Sequence, residues 1–106
     1  MTRSAIARIW IGLVPKDRAD DYQLLMEEVA LPDYRGTPGN LLAACLRSDE
    51  HNRWSEFQMV TLWTDRDAIQ AFAGPQIDRA VYYDFDDEFL IDKPRLVRHF
   101  QTSWSA

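Results

Sequence analysis

The stretch FQMVTLWTDRDAIQAFAG (Phe57–Gly74) predicts a β-strand that runs directly into an α-helix. Its first part is rich in β-branched and aromatic residues and ends at Trp63, a composition typical of strands. The segment Thr64–Asp67 can cap the start of a helix, and Gly74, which Pro75 follows, can end it. This unit indicates a fold that mixes strands and helices.

Three further strands and another helix are predicted around this unit. The predicted elements are strands Ile6–Val14, Leu41–Ser48, Ser55–Trp63 and Arg95–Thr102, helices Asp17–Val29 and Asp65–Ala73, and a helical turn near Asp78–Tyr82. Pro32, Gly36, Pro38 and Gly39 indicate a loop after the first helix. The order strand–helix–strand–strand–helix–strand is that of the ferredoxin-like βαββαβ fold, which belongs to the α+β class. We therefore expect one domain, residues 1–106, with two helices on one face of a four-stranded antiparallel sheet.

Both faces of the third predicted strand are apolar. One face carries Phe57, Met59 and Trp63, and the other carries Val60 and Leu62. Because two helices can cover only one face of such a sheet, the second face would stay exposed, and large exposed apolar patches indicate association. We therefore expect a homodimer with facing sheets, a dimeric α+β barrel. The predicted contact face carries Trp10, Phe57, Met59 and Trp63.

Composition and charge exclude several classes of partner. The net charge is −5 and the 12 Lys and Arg residues are scattered, which argues against binding to nucleic acid or to an anionic membrane. The apolar run Ala5–Val14 is too short to span a bilayer and has no signal-peptide cleavage pattern, so we expect a cytoplasmic protein. The single Cys45 cannot form an internal disulfide.

Five segments resemble one known family. They are ARIWIG (Ala7–Gly12), PGN (Pro38–Asn40), LWTDRDAIQAFAG (Leu62–Gly74), AVYYDFDDEFL (Ala80–Leu90) and VRHF (Val97–Phe100). In this order they resemble the antibiotic-biosynthesis-monooxygenase-like family of dimeric α+β barrel proteins. The resemblance implies a substrate cavity between the sheet and the helices. It also implies oxidation of small aromatic or quinol-type molecules without a cofactor.

The haem-degrading members of the same superfamily offer a second comparison. They use an asparagine on the first strand, a tryptophan that ends the third strand and a histidine after the second helix. Trp63 matches the tryptophan, whereas the first strand has no asparagine and Pro75–Tyr83 contains no histidine. The resemblance therefore does not imply haem degradation by that triad, and we expect no cofactor.

Two residues are candidates for catalysis. His99 is the only histidine in a predicted strand or helix, and the usual histidine pKa near 6.5 suits proton transfer from a phenol. Arg8 can hold the resulting anion. A structural role for His99, and surface ion pairs for Arg8 or Arg98, are the alternatives. No second strand histidine or cysteine accompanies His99, so we expect no metal site.

Four aromatic residues are candidates for substrate binding. They are Trp10, Trp63, Phe72 and Tyr83. Trp63 can stack on an aromatic ligand or fill the core at a strand end. Trp10 lies near Gly12, and a strand glycine allows close approach of a ligand or of another backbone. Packing in the dimer contact is the alternative for Trp10, and the acidic stretch Asp84–Glu88 is expected to be a solvated loop.

These observations favour a small dimeric monooxygenase that acts on an aromatic or quinol-type molecule without a cofactor. Two alternatives stay open. One is a non-catalytic dimeric protein that binds a ligand or serves in a stress response, and the other is a haem-binding protein without the triad. A titratable side chain that faces the substrate cavity would favour the enzyme, whereas a His99 that points into the helix-packed core would favour the binding or structural role.

Overall fold

A computed structural model of the chain describes residues 2–105. Its four strands are β1 (Arg3–Pro15), β2 (Asn40–Ser48), β3 (Trp54–Trp63) and β4 (Arg98–Trp104). They form one antiparallel sheet in the order β2-β3-β1-β4, so β1 and β3 lie at its centre. This topology confirms the predicted α+β, ferredoxin-like fold.

The helical segment after β1 is longer than predicted. It consists of a 3₁₀ turn (Lys16–Arg18), helix α1 (Ala19–Leu25), a π-helical turn (Met26–Ala30) and helix α2 (Leu31–Arg35). The prediction of a loop at Pro32 is wrong, because Pro32 lies in the first turn of α2, where a proline's missing N–H costs little. Among residues 2–105 no helix is long and apolar enough to cross a bilayer.

Helix α3 (Arg66–Ala73) forms as predicted. Asp65 Oδ1 accepts a hydrogen bond from the backbone N–H of Ala68 at 2.8 Å, which caps the first turn. Gly74 ends the helix with a φ of +86°, a conformation that favours glycine. Ile69 is fully buried and anchors α3 on the sheet. The signals that define this unit are thus local to it.

The segment between α3 and β4 differs from the prediction. Residues Asp78–Tyr82 form no helix but run beside the chain that precedes β4, where the Val97 N–H donates to the Asp78 carbonyl at 2.7 Å. The residues just before Arg98 pair with the Asp78–Tyr82 segment and not with β1. Strand β4 therefore begins later than predicted, at Arg98. The last helix, α4, spans Asp86–Phe89. The acidic stretch is therefore partly helical.

The helices cover the sheet face that was predicted to form the dimer contact. That face carries Trp10, Phe57, Met59 and Trp63, all buried in the main core. The assignment of the contact to this face is therefore wrong. The uncovered face carries the exposed side chains Ile11, Leu42, Leu46 and Phe100. Side chains alternate between faces, so the sequence shows two apolar faces without showing which one the helices choose.

Gly12 has a packing role in this core. A side-chain carbon added at Gly12 would overlap ring atoms of the Trp10 indole and come within 3.1 Å of Leu90. The strand glycine thus allows close approach of Trp10 itself.

Candidate functional site

The two predicted catalytic residues, Arg8 and His99, are direct neighbours. Arg8 on β1 and His99 on β4 are cross-strand partners, so both side chains lie on the same, helix-facing side of the sheet. Arg8 is only 1% exposed, and the His99 side chain is 4% exposed. The register of the sheet thus places a guanidinium beside an imidazole in a buried position.

Both side chains make polar contacts, and each leaves one nitrogen without a partner. Arg8 Nη2 donates to the backbone carbonyl of Arg79 at 2.7 Å, and the guanidinium lies 5.6 Å from the Phe72 ring centroid. His99 Nδ1 lies 3.2 Å from Asp78 Oδ1. Within residues 2–105, Arg8 Nε and His99 Nε2 are buried without a hydrogen-bond partner, and no carboxylate forms an ion pair with Arg8. Buried polar atoms are seldom left unpaired, yet neither Arg8 nor His99 lines any of the openings found in residues 2–105.

The electrostatics of the pair favour a neutral histidine. Burial lowers the pKa of His99 below its usual 6.5, and the Arg8 charge lowers it further, while Asp78 opposes the shift. His99 is therefore neutral at pH 7, the state in which it can accept a proton. Burial also lowers the pKa of Arg8, and nearby Tyr34 counteracts this effect.

An aromatic cluster packs beside the pair. Phe72 stacks on Tyr34 with ring centroids 4.3 Å apart, and Trp63 lies 5.7 Å from Phe72. Trp63 is fully buried, and its Nε1 donates to Thr61 Oγ1 at 2.8 Å. The indole N–H is thus satisfied internally, and Trp63 does not line the cavity between the sheet and the helices. Sequence reasoning missed Tyr34, because the predicted helix ended before it.

That cavity is small. It is lined by Trp10, Tyr22, Met26, Ala30, Tyr34, Met59, Val81, Tyr83 and Asp86. Trp10 and Tyr83 therefore lie where the resemblance placed substrate contacts, whereas Trp63 and Phe72 do not. The volume of about 10 Å³ is close to the minimum for one water molecule and too small for an aromatic ring.

Asp86 is a buried carboxylate that sequence reasoning missed. It is 2% exposed, accepts a hydrogen bond from the Tyr22 hydroxyl at 2.7 Å and another from the Tyr83 backbone N–H at 2.7 Å. Burial raises the pKa of Asp86, and these hydrogen bonds oppose the shift. The expectation that the whole acidic stretch is solvated is therefore wrong for Asp86. Four acids stand close together there, and no local signal distinguishes the one that α4 turns inward.

The larger surface openings include one of about 250 Å³, lined by Arg79, Ala80, Tyr82, Lys93 and Arg95. Two others are larger still. One, of about 450 Å³, is lined by Ser4, Ala5, Ile6, Thr64, Gln101, Thr102 and Ser103. The other, of about 380 Å³, lies on the uncovered face and is lined by Ile9, Ile11, Gln58, Pro94, Leu96, Val97, Arg98 and Phe100. In the described part of the chain no group of three or more His, Cys, Asp or Glu side chains is arranged to hold a metal ion.

Solved structures match the chain over nearly its whole length. A scan against family models and a search of curated protein sequences each found no match. Protein SO0527 from Shewanella oneidensis has a TM-score of 0.64 and 12% identity, with 99% of this chain and 100% of that chain covered. PA3566 from Pseudomonas aeruginosa has a TM-score of 0.60 and 15% identity, with 98% and 97% covered. A provisionally named antibiotic biosynthesis monooxygenase from Nitrosomonas europaea has a TM-score of 0.60 and 11% identity, with 100% and 92% covered. The chain therefore shares its fold with structures of the kind that the sequence resemblance implied.

Proposed function

We propose that the chain is a cofactor-independent monooxygenase of a small phenolic or quinol-type molecule, with Arg8 and His99 at the reaction centre. The observation that carries this proposal is the pair of buried, unpartnered nitrogens, Arg8 Nε and His99 Nε2, on neighbouring strands. A phenol hydroxyl bound between them would supply the missing partner of each. The shared fold with a provisionally named monooxygenase supports the same reading.

The first step of the proposed reaction is removal of the phenol proton. Asp78 Oδ1 can only accept, so the neutral His99 carries its proton on Nδ1 and leaves Nε2 free to take the phenol proton. Arg8 Nε then donates a hydrogen bond to the phenolate oxygen, and the guanidinium charge stabilises the anion in a buried site. Both nitrogens thus act on the same oxygen atom.

The phenolate is electron-rich enough to reduce oxygen directly. Electron transfer to O₂ and recombination form a bond between one oxygen atom and a ring carbon. Loss of water from the resulting hydroperoxide removes the other oxygen atom together with two hydrogens of the substrate. The products are a quinone and water, and the substrate itself supplies all the electrons.

The experiment is oxygen uptake with a panel of quinols and anthrones. His99→Ala should lower the rate on an accepted substrate by about 10²-fold or more, the scale of lost general-base catalysis. His51→Ala is the matched control, because His51 lies exposed in the β2–β3 hairpin. Equal rates for the two variants would reject His99 as the base.

The second candidate function is a non-catalytic, homodimeric ligand-binding protein. The small volume between sheet and helices favours it, because a typical substrate cavity is tens of times larger. The uncovered apolar face fits contact with a second copy of this chain. Ligand binding without oxygen uptake across the whole panel would favour this function over the enzyme.

A further inference from the structure

The 450 Å³ opening lies on the same side of the sheet as the Arg8–His99 pair. We call it the β1–β4 groove. Its lining consists of Ser4, Ile6, Thr64, Gln101 and Ser103, together with Ala5 and Thr102, a cross-strand pair of the opposite sheet face. The cross-strand partners are Ser4 with Ser103, Ile6 with Gln101, and Arg8 with His99. Successive pairs on one face are about 6–7 Å apart along the strands. The groove therefore ends one pair away from the buried nitrogens.

The groove is open to solvent at this end of β1 and β4. Ser4, Gln101 and Ser103 are exposed, whereas Arg8 and the His99 ring are buried. The Gln101 side chain forms no hydrogen bond with any other residue of the range 2–105, so it can turn aside without losing one. Along the strands, the groove thus leads towards the Arg8–His99 pair.

We propose that the substrate lies in the β1–β4 groove and not in the sheet–helix cavity, with its acidic hydroxyl at Arg8 and His99. This inference rests on the proposed function of that pair. The sheet–helix cavity holds at most one water, whereas the groove volume falls within the range of small-molecule sites. The β1–β4 groove therefore has room for a substrate, and the sheet–helix cavity does not.

The lining defines the class of ligand. Four hydroxyls and one amide line the groove, from Ser4, Thr64, Thr102, Ser103 and Gln101. Ile6 lies between the outer residues and the Arg8–His99 pair. The positive charges of Arg8 and Arg66 act on His99 against the single charge of Asp78. A cavity of about 150 Å³ accommodates one benzene ring. The groove therefore fits a phenol of one or two rings that carries a polar hydroxyl group at the end remote from the acidic hydroxyl.

The probe is 4-nitrophenol, and the titration is run under nitrogen to exclude oxygen. The phenolate form of the probe absorbs visible light, and its binding needs no oxidation. We expect saturable binding with a shift of the protein-bound probe towards the phenolate form. Gln101→Trp, which fills the groove, should weaken binding at least about tenfold. Gln70→Trp is the matched control on the exposed side of α3 and should not change it. Arg8→Met should abolish the shift towards phenolate.

A measurement on the unchanged protein guards against variants that fail to fold. Amide NMR signals of Ile6, Gln101 and Ser103 should move as the probe is added. Movement confined to Trp10, Val81 and Tyr83, or no saturable binding at millimolar probe, would overturn the groove as the site. Binding in the groove without oxygen uptake by any quinol would support the groove and reject the oxygenase, so the two proposals fail separately.

Discussion

Replacement of Arg8 by methionine should leave the folded protein at least as stable as before while removing its binding of phenolate. Arg8 is 1% exposed, makes one charged hydrogen bond to a backbone carbonyl and forms no ion pair with a carboxylate of residues 2–105. A buried arginine without a carboxylate partner should lower the stability of the fold if its role is to bind a ligand. If its role is structural, it should raise that stability.

The expected size follows from three contributions. The hydrogen bond to the Arg79 carbonyl contributes about 1.5–3 kcal/mol and the contact with Phe72 about 0.5–2 kcal/mol. Removal of the guanidinium from water costs several kcal/mol, and without a carboxylate this cost is not recovered. Methionine keeps most of the volume and packs well against the Phe72 and Tyr34 rings. We expect the free energy of unfolding to rise by about 1 kcal/mol, and in any case not to fall.

The assay is urea denaturation at pH 7. With a slope of about 1–3 kcal/mol per molar urea, a gain of about 1 kcal/mol moves the midpoint up by roughly 0.3–1 M at unchanged slope. Arg53→Met, at an exposed hairpin position, is the matched control and should stay within about 0.5 kcal/mol of the wild type. A fall in the free energy of unfolding of Arg8→Met beyond the roughly 0.5 kcal/mol allowed for the control would refute the reasoning, because it would show that Arg8 holds the fold together.

Four further predictions concern the core, the pH dependence, the assembly and haem. Gly12→Ala should destabilise the protein by about 1–3 kcal/mol, because the new methyl group displaces the Trp10 indole, and an unchanged melting midpoint would contradict this packing. The pKa of Asp86 is raised in the folded state, so the protein loses stability as the pH rises from about 4 through that pKa. Asp86→Asn should remove this loss. Parallel stability–pH curves for the wild type and Asp86→Asn would contradict this prediction. Light scattering at micromolar concentration should give about twice the 12.4 kDa monomer mass. Phe100→Asp on the uncovered face should reduce the measured mass towards that of the monomer. A monomeric wild type would reject the dimeric barrel. Titration with hemin should give no sharp, saturable Soret shift, because the asparagine and histidine of the haem-degrading triad are missing; stoichiometric binding would contradict this expectation.

The candidate site was predictable in its residue types and not in its geometry. His99 and Arg8 stand out because a neutral imidazole and a guanidinium are suited to proton transfer and anion binding. Their proximity depends on the register of β1 against β4, which pairs residues about ninety positions apart. Asp86 and Tyr34 escaped notice for a related reason. Neither has a local signal, and each becomes part of the site only when its helix packs on the sheet.

The sequence by itself determined the order of strands and helices, the cap at Asp65, the stop at Gly74 and the presence of two apolar sheet faces. These features depend on neighbours within a few residues, where propensity, capping and periodicity act directly. Only the tertiary structure decided which face the helices bury and how little space remains between them and the sheet. The remaining space depends on side-chain volumes summed over distant segments, because a packed interior leaves few voids. The choice of face is not visible in the strand pattern, because apolar residues alternate on both faces of the sheet.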